Sequence, residues 1–157
     1  MTSVSLGQPV PPFSGASTSG KTMNLSDFAG KNLVLYFYPK DDTPGCTQEG
    51  QDFRDLYPKF QSLNTEIVGV SRDSVKSHER FKCKFEFPFE LIADDDETLC
   101  SLFDVMKMKN MYGKQVRGVE RSTFLIDSHG SLAGEWRKVS VKGHAEAVLA
   151  KIEALAG

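Results

Sequence analysis

The sequence predicts an α/β protein in which a mixed central β-sheet is flanked by helices and preceded by an N-terminal β-hairpin. Three observations carry this expectation. The unbroken apolar run Leu33-Val34-Leu35-Tyr36-Phe37-Tyr38 reads as a strand buried on both faces, and therefore central in its sheet. Strand and helix patterns alternate from there to about residue 104. The order then changes to an antiparallel pair, 122–127 and 131–137, joined by Ser128-His129-Gly130 and followed by one last helix.

Composition bounds the answer further. A chain of 157 residues fits one ordinary domain, taken here as 1–157, able to bury around two thirds of its unfolded surface. With 39% hydrophobic and 25% charged residues it has the balance of a soluble globular protein. A formal net charge of −2 argues against nucleic acid as partner, since a nucleic-acid binder carries a basic face. Met1-Thr2-Ser3-Val4-Ser5-Leu6 lacks a basic and an apolar signal region, and no apolar run is long enough to span a bilayer, so a cytoplasmic location is expected. Three cysteines in such a chain point to catalysis or inert burial rather than a disulfide frame. Neither Cys-x-x-Cys nor His-x-x-x-His occurs, and no metal or cofactor is expected.

The elements follow in order. Residues 7–13 are proline-rich and read as an extended lead-in, and Ser19-Gly20-Lys21 turns a hairpin between short strands. Ser26-Asp27-Phe28 makes a single turn before Gly30-Lys31 opens the central strand. Beyond that strand, Phe53, Leu56 and Tyr57 recur at helical spacing, and Pro58 should kink or end this helix. A strand at 65–71 leads to Asp73-Ser74, which caps a helix from Val75 to Phe85. Pro88 to Ala93 reads as another strand, and Asp94-Asp95-Asp96 loads acids onto the start of a helix at 96–104. The segment 106–114, basic and rich in methionine, reads as an exposed loop. In the final helix, 144–156, Val148, Ile152 and Leu155 share one face. His78, His129 and His144 have no metal or general-base spacing and are expected in solvated or capping roles.

The chemistry concentrates after the central strand, in Tyr38-Pro39-Lys40-Asp41-Asp42-Thr43-Pro44-Gly45-Cys46-Thr47-Gln48-Glu49. Cys46 falls in or just before a first helical turn, where free N–H groups and the positive dipole end favour an anion such as a thiolate. Holding an ordinary thiol ionised at neutral pH takes a stabilisation of about 3.4 kcal/mol. A helix terminus supplies about 0.3 to 1 kcal/mol, and at best roughly 2. Asp41 and Asp42 oppose a thiolate if their carboxylates point inward. The arithmetic therefore asks for a cation from elsewhere, preferably a guanidinium. Arg54 lies eight residues along the helix, about 12 Å of rise, and is too far. Arg72 and Arg121 both reach the same sheet edge as Cys46 if 67–70 runs parallel to 33–38 and 123–126 runs antiparallel.

The spacing Pro39-x-x-x-Thr43-x-x-Cys46, within Phe-Tyr-Pro-Lys-Asp-Asp-Thr-Pro-Gly-Cys-Thr-x-Glu, resembles the active-site loop of the peroxiredoxins. Its wording is that of the bacterioferritin comigratory protein, or peroxiredoxin Q, branch, and the likeness covers almost the whole chain. Arg121-Ser122-Thr123-Phe124-Leu125-Ile126-Asp127 resembles the strand headed by the family's catalytic arginine, which selects Arg121 and leaves Arg72 as a supporting cation. The strand–helix order leaves flavodoxin-like and thioredoxin-like sheets both open; the resemblance selects the thioredoxin-like fold and implies a long helix after Cys46, kinked at Pro58 and resuming through Phe60-Gln61-Ser62-Leu63.

The resemblance implies a peroxidase in which Cys46 attacks one peroxide oxygen and becomes a sulfenic acid. Thr43, the backbone N–H groups of Gly45 and Cys46, and Arg121 would hold the two oxygens in line, while Pro39 shields the sulfur from bulk water. Glu49, one turn beyond Cys46, would orient Arg121. Many relatives carry a second cysteine five residues after the first, where this chain has Gln51. Resolution then falls to Cys83, Cys100 or a thiol of another molecule. Some relatives place theirs at the site of Cys83, which makes Cys83 the expected resolving residue and Cys100 core. By the same analogy thioredoxin is the reductant, and the protein is a monomer. A one-cysteine peroxidase, a redox sensor using an external thiol and a protein thiol–disulfide oxidoreductase are the rival readings.

Overall fold

The computed structural model describes residues 4–156. Short strands β1 (Ser14–Ser17) and β2 (Thr22–Asn24) form the opening hairpin. The central strand β3 (Asn32–Phe37) leads to helix α1 (Pro44–Ser62), strand β4 (Thr65–Ser71), helix α2 (Val75–Phe85), strand β5 (Glu90–Ala93) and a short helix α3 (Thr98–Leu102). A ribbon of β6 (Met106–Met111) and β7 (Lys114–Val119) comes next, followed by β8 (Ser122–Ile126), β9 (Leu132–Trp136) and α4 (His144–Ala156).

Seven strands make one sheet in the order β2-β1-β5-β4-β3-β8-β9. β3, β4 and β5 run parallel, whereas β8 pairs antiparallel with β3, and β9 with β8. This is the mixed, helix-flanked sheet expected from the element order. Period-2 alternation along β3 sorts the core. Leu33, Leu35 and Phe37 pack with Val68, Val70, Phe124 and α3 residues on one face. Val34, Tyr36 and Tyr38 pack with Phe53 and Phe60 of α1, Phe81 of α2 and Val148 of α4 on the other.

α1 continues past Pro58 to Ser62, as the family likeness implied, because the aromatic anchors Phe53 and Phe60, both fully buried, hold it on either side of the proline. Two sequence expectations change. The segment 106–114 is no loop: its residues pair with 114–119 in a ribbon closed by Tyr112-Gly113, both with positive φ, the backbone that suits a two-residue hairpin turn. The ribbon forms a sheet of its own, so it never shows the one-sided apolar alternation of a core strand. His78 and His144 are buried, while His129 is exposed in its turn.

Candidate functional site

Thr43 is the N-cap of α1, with extended backbone, and Pro44 fills the first helical position, where a missing N–H costs nothing. Cys46 is thus the third residue of the helix, only 2% exposed. The first intrahelical bond, Thr47 N–H to the Thr43 carbonyl at 2.8 Å, leaves the Gly45 and Cys46 N–H groups free within the first turn.

The antiparallel register of β8 on β3 puts Ser122 opposite Phe37, so Arg121 enters at the strand end from which the Cys46 loop departs. Its Nη2 donates to Cys46 Sγ at 3.4 Å, and its Nη1 donates to Glu49 Oε1 at 2.6 Å. Two guanidinium nitrogens thus bind two side chains on successive turns of α1. Gly45 makes room: a Cβ there would lie 3.1 Å from Arg121 Nη2. Arg72 instead donates to Glu97 at 3.1 Å, a carboxylate it shares with Arg117. The sequence left Arg121 and Arg72 equivalent until the family likeness was applied; geometry separates them.

Glu49 is 1% exposed, and burial pushes its carboxyl up to about 7, against the pull of the Arg121 charge. Its Oε2 meets no hydrogen-bond partner among the described residues, and neither does Tyr36 Oη. Burial, reinforced by Glu49, holds the Tyr36 phenol well above its ordinary range. Behind Arg121, Thr123 Oγ1 lies 2.7 Å from His144 Nε2, and burial lowers that imidazole to about 4. Lys109 of β6 stretches over Gly118, and its ammonium donates to the Val119 carbonyl, two residues before Arg121. Burial and then the Arg121 charge lower the Lys109 pKa. Sequence reasoning missed this lysine because only the ribbon pairing brings it there.

The acids of the loop do not oppose the sulfur. Asp41 turns into the sheet-side core, where it accepts bonds from Tyr38 Oη at 2.6 Å and Ser77 Oγ at 2.8 Å and pairs with His78 Nδ1 at 2.7 Å. Asp42 turns outward to Lys84 Nζ at 2.8 Å. Of the remaining loop residues, Thr43 Oγ1 donates to the Lys40 carbonyl at 2.8 Å, which leaves the hydroxyl oxygen free to accept, and Pro39 is partly covered.

The other thiols differ sharply. Cys83 is exposed on α2, beside a surface hollow of about 410 Å³ lined by Thr18, Glu79, Lys82, Glu86 and Phe87. Cys100 is fully buried under α3, and burial together with the neighbouring Asp94 raises its thiol far above the ordinary range. All three cysteines are free. Among the described residues no helix is long and apolar enough to cross a membrane.

The chain matches the AhpC/TSA family over residues 6–134. It is 58% identical over 139 residues to peroxiredoxin Bcp of Xanthomonas campestris, covering 88% of this chain and 87% of that one. Peroxiredoxin Bcp of Bacillus subtilis is 51% identical over 141 residues, with 90% of each covered. A solved structure of the Xanthomonas campestris bacterioferritin comigratory protein, studied for alkyl peroxide reduction, superposes with a TM-score of 0.88 at 54% identity over 92% of each chain. A Xylella fastidiosa peroxiredoxin Q mutant superposes with a TM-score of 0.93 at 44% identity over the full length of both.

Proposed function

Because the chain belongs to the AhpC/TSA family and is a peroxiredoxin, a peroxidase among the oxidoreductases, we propose that Cys46 is its peroxidatic residue and that hydrogen peroxide and organic hydroperoxides are its substrates. The observation that carries this reading is the Arg121 fork, with one nitrogen on Cys46 Sγ and the other on buried Glu49.

The Cys46 thiolate attacks the nearer peroxide oxygen, an S–O bond forms as the O–O bond breaks, and the departing oxygen leaves as water or an alcohol after taking a proton. Arg121 and the free N–H groups of Gly45 and Cys46 stabilise charge developing on the two oxygens, and Thr43 Oγ1 accepts from the hydroperoxide O–H. Pro39 covers the loop, and Glu49 holds Arg121 in its orientation. Cys83 then attacks the sulfenic sulfur; an S–S bond forms, the S–O bond breaks and water leaves. A dithiol of the thioredoxin kind reduces the disulfide through the exposed Cys83 side. The exposure of Cys83 and the burial of Cys100 support that choice of resolving thiol. The molecule works as a monomer, and its three free thiols suit a reducing compartment such as the cytoplasm.

Peroxidase turnover coupled to thioredoxin tests this reading with Cys46→Ser, Cys83→Ser and Cys100→Ser. The first should abolish activity, the second should block cycling while sparing one oxidation, and the third should change little. Peptide mapping of peroxide-treated protein should find Cys46 joined to Cys83. A link to Cys100 instead, or no internal link, overturns the resolving assignment and returns the external-thiol mechanism.

A further inference from the structure

Joining Cys46 to Cys83 requires the two α-carbons to come within about 7 Å; Cys46 is buried in the first turn of α1 and Cys83 is exposed on α2, so the turns that carry them open for the bond to form. The geometry points to a fixed anchor upstream of both turns. We propose that the buried cluster of Asp41, Ser77 and His78 stays closed while these turns unwind, and so tethers the two cysteines for resolution. This rests on the assignment of Cys83 made above.

Asp41 lies five residues before Cys46, and His78 lies five residues before Cys83. The two meet at 2.7 Å, with His78 wholly buried and the Asp41 side chain 5% exposed. His78 Nε2 lies 2.9 Å from the Ile92 carbonyl, which can only accept, so Nε2 carries a proton. Nδ1 and Asp41 Oδ2 therefore share one further proton in a hydrogen bond out of water. Ser77 and Tyr38 complete the shell of Asp41, and the Asp41 N–H donates to Asp73 Oδ2 at 3.0 Å.

The ligand atoms of Asp41, Asp73 and His78 lie close enough to suggest a metal site. Each is already engaged: Nε2 donates to Ile92, both Asp41 oxygens accept, and Asp73 Oδ2 accepts from the Asp41 N–H and the Ser71 hydroxyl. The arrangement is a closed hydrogen-bonded joint between the Cys46 loop and the first turn of α2. Downstream of it, the only ion pair linking loop to helix among the described residues is Asp42–Lys84, about half exposed on both sides and weak enough to release.

The kinetic consequence follows from loop closure. With the anchor open, the nearest fixed point is the β3–β4 pair, where the Tyr38 N–H bonds the Val70 carbonyl, so 8 and 13 residues of tether, 21 in all, separate Cys46 from Cys83; with the anchor closed two five-residue tethers remain. Each tether extends to about 17 Å. If closure probability falls as the three-halves power of length, the anchor speeds disulfide formation about threefold.

Hydrogen exchange on the wild-type disulfide form, compared with the reduced form, reads the anchor directly. The amides of Asp41, Ser77 and His78 bond to Asp73, to Ser74 Oγ and to the Ser74 carbonyl, all upstream of the unwinding turns. They should keep their reduced-state protection within about threefold, while Thr47 and Glu86, whose partners are Thr43 and Cys83, lose at least about tenfold. In rapid-quench alkylation, His78→Asn should slow sulfenic acid disappearance about threefold and leave the first oxidation rate unchanged. Equal loss of protection at Asp41, Ser77 and His78, or a His78→Asn variant that resolves as fast as wild type or faster, overturns the anchor alone. Peroxide-treated wild type without a Cys46–Cys83 link overturns the anchor and the resolving assignment together.

Discussion

Replacing Arg121 with glutamine removes the guanidinium bonded to the sulfur while keeping a planar donor. At 3.4 Å and an effective dielectric of about 20, the guanidinium attracts a thiolate with roughly 5 kcal/mol before desolvation and the competing pull of Glu49 are subtracted. A hydrogen bond to a charged group is worth about 1.5 to 3 kcal/mol net, which bounds what the Arg121 contact contributes. The second-order rate constant for hydrogen peroxide should therefore fall between about tenfold and two-hundredfold. The fold should survive, since Glu49, already pushed up to about 7, takes up a proton once its partner is gone. Arg121→Lys should recover only part of the rate, because a single ammonium cannot bond Cys46 and Glu49 through separate nitrogens. A rate for Arg121→Gln within about threefold of wild type would refute the electrostatic account of the site.

Three further outcomes are expected. Glu49 keeps its proton in the fold up to about pH 7 but releases it near 4.5 when unfolded, so its contribution to stability is complete below about pH 4.5 and lost as pH rises through 7. That contribution is of order 3 kcal/mol, and urea midpoints across this window should fall with pH less steeply in Glu49→Gln than in wild type; parallel curves would remove the assignment. A Cβ at Gly50 would sit 2.4 Å from the Phe87 ring, so Gly50→Ala should destabilise by about 1 to 3 kcal/mol through overpacking, seen as a lower melting temperature. Iodoacetamide should label Cys83 of the reduced native protein promptly and Cys100 only after unfolding, since the latter is fully buried with its thiol raised by burial; equal labelling in the native state would contradict that placement.

Local signals made much of this molecule legible in its sequence. Strand 65–71 and helix 75–85 were bounded by an apolar run, a serine cap and a change of period, and the structure keeps those bounds. Cys46 at a helix start followed from the adjoining strand and helix patterns, with Pro44 now at the first helical position. Other features carry no local mark. The ribbon 106–119 exposes both faces along much of its length, so no periodicity announces it, and Lys109 reaches the site only through that pairing. His78 sits among charged neighbours in the chain, yet it is buried because Asp41, 37 residues earlier, and the Ile92 carbonyl satisfy both of its nitrogens.

By itself the sequence determined the order of strands and helices, the place of Cys46 at a helix start and the need for a distant cation to balance its charge. The family likeness singled out Arg121 as that cation, whereas where the two loop acids point and which histidines leave water were decided only in three dimensions. The physical reason is that helices and strands follow from neighbours along the chain, whereas charges and buried protons are stabilised by whatever lies within a few ångströms in space.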